Sequence, residues 1–211
     1  MRKTIVVTGS SGLIGSEVCT FFSSKGFLVH GVDNNQRAVF FGPQGDTRWN
    51  QRRLAGTLEA FNHHELDVRD RAGVLALVTT VRPSVIIHCA AQPSHDWAAR
   101  DPHTDFTVNA NGTLTLLESF RHYCPEAVFI FTSTNKVYGD LEQFSYSESA
   151  SRYICDQHPA GFDESVACRL TLDVAVTTVD GRRQVRPFSY VVPGLAVDPR
   201  TGHMLVLSAD S

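Results

Sequence analysis

Three glycines near the start of the chain carry the first chemical signal. Gly9, Gly12 and Gly15 follow the β-branched run Thr4-Ile-Val-Val-Thr8 and precede a segment with helical spacing that reaches about Lys25. Glycines spaced this way between a strand and a helix allow a tight turn. They let backbone N–H groups approach a pyrophosphate and let the helix pack closely on the strand, while the helix N-terminus adds its positive end. The pattern predicts a dinucleotide-binding turn; a plain glycine turn is the alternative, and the strand-turn-helix context argues against it. Asp33 closes the next apolar run, residues 27–33, about 20 residues beyond the turn. A carboxylate there accepts hydrogen bonds from ribose hydroxyls and repels a 2′-phosphate, which favours NAD(H) over NADP(H). The bland alternative is a solvated aspartate at a strand end.

The elements that must position these residues follow from periodicity. Strands are expected over 4–8, 27–33, 61–66, 84–90 and 127–133. Helices are expected from 13 to about 25 (with Gly26 as the C-terminal glycine), around 50–60, over 70–81 before Pro83, and over 103–123. Residues 36–49, with Gly42, Pro43 and Gly45, read as a long loop. Alternating strands and helices argue an α/β fold, a Rossmann-type doubly wound parallel sheet. After about residue 165 the rhythm changes. Residues 171–179 and 184–192 each alternate and flank the turn signal Asp180-Gly181, which predicts a β-hairpin. The expected organisation is a dinucleotide-binding part, 1–165, and a divergent β-rich tail, 166–211. Such a sheet would be incomplete on its C-terminal side, and an open parallel edge predicts self-association into a homo-oligomer.

Composition excludes several classes. The 211 residues are 42% hydrophobic and 19% charged, with a net charge of -3. No basic footprint for nucleic acid exists, and no basic helix for a membrane surface. Met1-Arg2-Lys3 is followed by too short an apolar run for a signal-peptide core, and no stretch could span a bilayer. The five cysteines, Cys19, Cys89, Cys124, Cys155 and Cys168, show no C-x-x-C spacing, so idle thiols in a reducing, cytoplasmic setting are expected rather than disulfides or zinc ligands. His63-His64 and His95-Asp96 read as loop residues without a third ligand, so no metal site is expected. His95 and Trp97 follow the fourth strand, where they could line a substrate pocket. Arg37 is a candidate for the rim of the cofactor site, or a solvated arginine.

Six stretches, in order, make the sequence resemble the extended short-chain dehydrogenase/reductases of the NAD-dependent epimerase/dehydratase family. They are TGSSGLIGS at 8–16, GVDNN at 31–35, LDVRD at 66–70, HCAAQPSHDWAA at 88–99, NANGTLTLLES at 109–119 and FTSTNKVYGD at 131–140. Within the family the likeness is to the 2-epimerases of CDP-paratose and CDP-tyvelose, and it covers about residues 1–165. The resemblance implies that Gly9, Gly12, Leu13, Ile14 and Gly15 hold the pyrophosphate of NAD. It implies that Asp33 and Asn34 meet the adenosine ribose and that Asp67 and Val68 flank the adenine. Cys89, Ala90, Ala91 and Gln92 would line the cleft, with Asn109 supporting the cofactor. Thr134 would be the catalytic hydroxyl on the sugar oxygen, its alternative an ordinary strand-end threonine. The implied substrate is a CDP- or UDP-linked nucleotide sugar.

One family element is missing. Its acid/base pair, Tyr-x-x-x-Lys, needs a lysine four positions after a tyrosine, to hold the tyrosine's pKa down. The lysines here are Lys3, Lys25 and Lys136, and none follows Tyr138, Tyr146, Tyr153 or Tyr190 at that spacing. Lys136-Val-Tyr138 has the residue types in the wrong arrangement, so Tyr138 reads as structural. Three expectations follow. The first is an NAD-dependent nucleotide-sugar epimerase, impaired or inactive as this chain stands. The second is a non-catalytic NAD-binding module. The third is a truncated or frameshifted gene product diverging near residue 165.

Overall fold

The computed structural model describes residues 2–133, 141 and 143–162 in full, and the backbone of 168–177, 183–192, 196–197 and 204–205. Contacts divide the chain into two compact units, 1–132 and 133–211.

The first unit is built on five parallel strands: β1 (Thr4–Thr8), β2 (Leu28–Val32), β3 (Phe61–His64), β4 (Val85–His88) and β5 (Val128–Phe131). Their spatial order is β3-β2-β1-β4-β5. The β2–β1 register, Val7 opposite Gly31 and Thr8 opposite Val32, brings the glycine turn and the end of β2 to one edge. The connecting helices are α1 (Leu13–Ser24), α2 (Gln36–Phe41), α3 (Arg48–Thr57), α4 (Arg71–Val81), α5 (His95–Arg100), α6 (Pro102–Phe106) and α7 (Gly112–Tyr123). This is the α/β, doubly wound parallel architecture expected.

The central strand explains its own composition. Ile5 and Val7 pack with Val29, Ile87, Cys19 of α1 and Leu54 of α3 on one face. Val6 packs with Val32, Ile86, Val74 and Val78 of α4 and Leu116 of α7 on the other. A parallel strand covered on both faces is apolar at every position rather than alternating, and burial of each such side chain contributes roughly 1.5–3 kcal/mol. Gly26, at φ +81, ends α1 as anticipated.

Three expectations need correction. Residues 36–41 form α2 rather than loop. The Asn34 side-chain oxygen accepts the Gln36 N–H at 3.1 Å and the Asp33 carboxylate accepts that of Asn35 at 2.8 Å. These side chains start the helix, and Gly42 at φ +72 ends it. Second, the segment read as one helix over 103–123 begins at Pro102, capped by Asp101, and is interrupted by a turn of π-helix over Thr107–Asn111. A turn of that kind inside a helix often marks a functional site. Third, His63 and His64 lie in β3 and His95 opens α5, so none of them is a loop residue.

In the second unit, β6 (Tyr146–Glu148) pairs antiparallel with β7 (Tyr153–Cys155). The longer β8 (Cys168–Thr177) pairs antiparallel with β9 (Arg183–Val192), as the alternating pattern predicted. The turn assigned to Asp180-Gly181 lies outside the described residues.

A cleft at the strand ends

The C-terminal ends of β1, β2 and β4 enclose a cleft of about 220 Å³. This is the place where the chain reverses direction across the sheet, and open α/β sheets bind ligands there. The glycine turn forms its floor. Gly9 has φ +65, and a Cβ on it would stand 2.8 Å from the Ala90 nitrogen. A Cβ on Gly15 would stand 2.1 Å from the Gly9 carbonyl oxygen. The turn closes through a 3.0 Å bond from Gly12 N–H to Gly9 O. Helix α1 then starts with no side-chain cap and no acidic residue in its first turn. Leu13 and Ile14 border the cleft while remaining 82% and 55% exposed.

Asp33 faces this turn from the end of β2. One carboxylate oxygen accepts the Ser11 N–H at 3.0 Å and the other that of Asn35 at 2.8 Å. Each oxygen keeps a further lone pair for a ligand hydroxyl. Asn34 donates to Asp67 at 3.0 Å. Burial resists ionisation of Asp67, but the Arg69 guanidinium, the Arg69 N–H and Asn34 together hold its carboxyl below the ordinary range. Asn34, Asp67 and Val68 thus form one polar-apolar side of the cleft, and Cys89, Ala90 and Ala91 form the opposite side.

Gln92 and Asn109 stand behind that wall rather than on it. Asn109 accepts the Gln92 N–H at 2.8 Å and donates to the Gln92 carbonyl at 3.2 Å, and both side-chain amides donate to Asp105. Thr134 and Tyr138 lie outside the described residues. Arg37 does line the cleft, and its guanidinium lies 4.6 Å over the Phe41 ring. Trp97 packs edge-on against Phe40, at 5.4 Å.

Sequence reasoning missed several contributors. Gln36 and Thr47 border the cleft from segments read as loop. Asn50 is buried and donates to the Ser11 carbonyl at 2.9 Å, bracing the glycine turn from α3. A polar residue on the buried face of a helix was the only available signal. His88, the last residue of β4, is 1% exposed and bonded at both ring nitrogens, to Thr8 at 2.6 Å and Thr113 at 3.0 Å. Among the described residues no group of three or more His, Cys, Asp or Glu is placed to hold a metal ion, and no helix is long and apolar enough to cross a membrane. Cys19, Cys89, Cys124 and Cys155 are free, and burial pushes the Cys19 thiol up to about 12.

A model of the NAD dependent epimerase/dehydratase family matches residues 5–165. The chain belongs to that family. It is 36% identical over 161 residues to the CDP-paratose 2-epimerase of Salmonella typhi, an alignment covering 76% of this chain and 45% of that protein. The UDP-glucose 4-epimerase of Thermotoga maritima, solved with UDP-glucose, superposes with a TM-score of 0.51 at 31% identity, over 62% of this chain and 38% of that one. The UDP-glucose-4-epimerase of Stenotrophomonas maltophila, solved with NAD and formylated UDP-arabinopyranose, gives a TM-score of 0.55 at 25% identity, over 67% and 40%. The chain therefore spans less than half the length of these relatives.

NAD is the cofactor of this epimerase/dehydratase chain, and the cleft fits it. Gly9 and Gly15 have no room for side chains where a diphosphate must approach. Helix α1 brings an uncapped N-terminus to the cleft through Gly12, Leu13 and Ile14, and a positive helix end is what an anionic pyrophosphate requires.

The buried imidazole also sets a pH dependence. Burial pulls the His88 pKa down to about 4, so the folded protein holds it neutral while the unfolded chain takes up a proton near the ordinary value of 6.5. Stability is fully present above that value and is lost as pH falls toward 4. The loss expected from this residue is on the order of 3 kcal/mol. Burial likewise lowers His30 and His64, which adds to the same trend. Urea unfolding at pH 7, 6 and 5 checks it; a flat profile would refute the neutral assignment.

Proposed function

We propose that this cleft holds NAD through the residues named above, and that the chain belongs to a nucleotide-sugar epimerase acting on a CDP- or UDP-linked sugar. The juxtaposition of Asp33 with the glycine turn carries the reading. The substrate class rests on the kinship with CDP-paratose 2-epimerase. In this reading Gly9, Gly12, Leu13, Ile14 and Gly15 present the turn and the first N–H groups of α1 to the diphosphate. Asp33 accepts the ribose hydroxyls, with Asn34 beside it. Asp67 and Val68 border the adenine. Cys89, Ala90 and Ala91 close the other side, held from behind by Gln92 and Asn109. When bound, NAD supplies the hydride acceptor for a ring carbinol and the donor for reduction from the opposite face. Thr134 holds the sugar oxygen by a hydrogen bond. The proton on that oxygen needs a base, which would come from a residue outside the Tyr-x-x-x-Lys pattern or from another chain.

A second reading is a module that holds NAD without turnover. The observation that favours it is the lack, in these 211 residues, of any tyrosine followed four positions later by lysine.

Titration of the purified protein with NAD(H) and NADP(H) tests the cofactor assignment. NAD(H) is expected to bind more tightly. Asp33→Ala should narrow the difference by about 10–150-fold, since a hydrogen bond to a charged group contributes roughly 1.5–3 kcal/mol. Tighter binding of NADP(H) by the unaltered protein would sink the assignment.

A further inference from the structure

We propose that His88 is a positioning residue for the cofactor: as a neutral imidazole protonated on Nε2, it orders a line of hydroxyl protons that sets the Cys89–Ala91 wall of the NAD cleft. The proposal rests on the reading that the cleft binds NAD.

The direction of each hydrogen bond is forced by its neighbour. The Thr113 hydroxyl donates to the Asn109 carbonyl at 2.6 Å. Its one proton is spent there, so it must accept from His88 Nε2–H, 3.0 Å away. Nδ1 is then bare and accepts the Thr8 hydroxyl proton at 2.6 Å. Both Thr8 lone pairs are left for the N–H groups of Cys89 and Ala90, each at 3.2 Å, the Cys89 N–H being shared with the Thr8 carbonyl at 3.2 Å. Every hydroxyl and ring proton finds an acceptor; the other tautomer would set the bare Nε2 against a Thr113 lone pair, and either it or the imidazolium would leave the Thr8 hydroxyl proton without its acceptor. Thr8 is fully buried, so water cannot replace a lost partner.

The line runs from β1 through β4 to the π-turn before α7, and both its ends act on the same wall. At one end the Cys89 and Ala90 N–H groups are turned inward onto Thr8. That orientation lets the Ala90 backbone approach Gly9 so closely that no Cβ fits between them. At the other end Thr113 bonds the carbonyl of Asn109, the residue whose side chain clasps Gln92 at both its N–H and its C=O. Burial alone would require both ring nitrogens to be bonded; what marks His88 as a positioning residue is that its two partners, Thr8 and Thr113, each bond backbone of the same wall or of its brace. Buried polar groups of this kind specify one arrangement when all are satisfied.

Three substitutions separate positioning from packing. His88→Asn keeps a carbonyl acceptor near Nδ1 for Thr8. His88→Gln reaches toward Thr113 but leaves Thr8 without its acceptor. His88→Leu supplies neither. At a temperature where all remain folded, the Asn variant is expected to keep the NAD dissociation constant within about threefold of the parent, while Gln and Leu weaken it by about tenfold, the loss of one buried hydrogen bond. Thr8→Val should weaken it equally and add nothing to His88→Leu. If the constants instead follow the melting temperatures, or do not change, His88 is a packing residue and the proposal fails. Ring ¹⁵N NMR of the ligand-free protein supplies a readout independent of binding. It should report a single neutral Nε2–H form from pH 6 to 8, and an Nδ1–H form or imidazolium overturns the proposal. An unaltered protein that shows the Nε2–H signature but binds no NAD refutes the cofactor reading and the positioning role with it, leaving only the proton order.

Discussion

A protein of these 211 residues, supplied with NAD and CDP-paratose or CDP-tyvelose, is expected to interconvert the two sugars about 10²–10⁴-fold more slowly than a family member with its acid/base pair. The lysine that would tune a tyrosine is missing along with the pairing itself. Thr134 is a poor substitute, because an aliphatic hydroxyl without a neighbouring base accepts no proton near neutral pH. Contacts to the sugar that strengthen only in the transition state would raise the rate, but they cannot replace a proton acceptor. Interconversion followed by NMR decides the matter. Turnover of about 1 s⁻¹ or more, the lower end of ordinary enzymes, would mean that a base acts from an unrecognised position. Tyr138, Tyr153 and Tyr190 would be the first to replace.

Gly15→Ala should weaken NAD binding on the order of 100-fold and lower stability by about 1–3 kcal/mol, the usual cost of forcing atoms into a packed site. The added methyl would meet the Gly9 carbonyl oxygen at 2.1 Å and the Ser10 Cα at 2.9 Å. These are backbone atoms of the turn itself, so no side chain can rotate away. The start of α1 must retreat from β1, opening the Gly12-to-Gly9 bond and moving the N–H groups that face the diphosphate. Gly56→Ala is the control. It lies in α3, its added Cβ meets nothing within 4 Å, and helix propensity alone should make the change neutral or stabilising by up to about 1 kcal/mol. Calorimetric titration and thermal melts of both variants check this. Unchanged NAD affinity in the Gly15 variant would refute the assignment of the turn.

Much of the first unit was legible because its signals are local. The β-branched runs 4–8 and 84–90 and the glycine spacing are statements about neighbours in sequence, and parallel strands buried on both faces write themselves as unbroken apolar runs. Helix α2 was not legible. Its start depends on the Asp33 and Asn34 side chains folding back on the backbone, which polar residues do equally well in a loop. Nor was the break before α7, because the apolar spacing on its two sides is continuous. The second-unit strands β8 and β9 announced themselves by alternation, whereas the short pair β6 and β7 carried too few residues to show a period.

The sequence by itself determined the strand order of chemistry: a turn that only glycine can make, a carboxylate one strand later, and an apolar sheet to hold both. Those depend on local sterics and on side-chain charge, which need no partner to be read. Only the tertiary structure decided how distant residues share the work. Thr8 and His88 are 80 positions apart and meet at 2.6 Å because β1 and β4 are neighbours in the sheet. Gln92, expected to line the cleft, and Asn109, expected to support the cofactor, bond each other, since the π-turn carries Asn109 onto the Gln92 backbone. Asn50 braces the glycine turn from a helix 39 positions away. A hydrogen bond between remote segments leaves no periodic trace in sequence; its energy depends on angstrom-scale placement that only the packed sheet supplies.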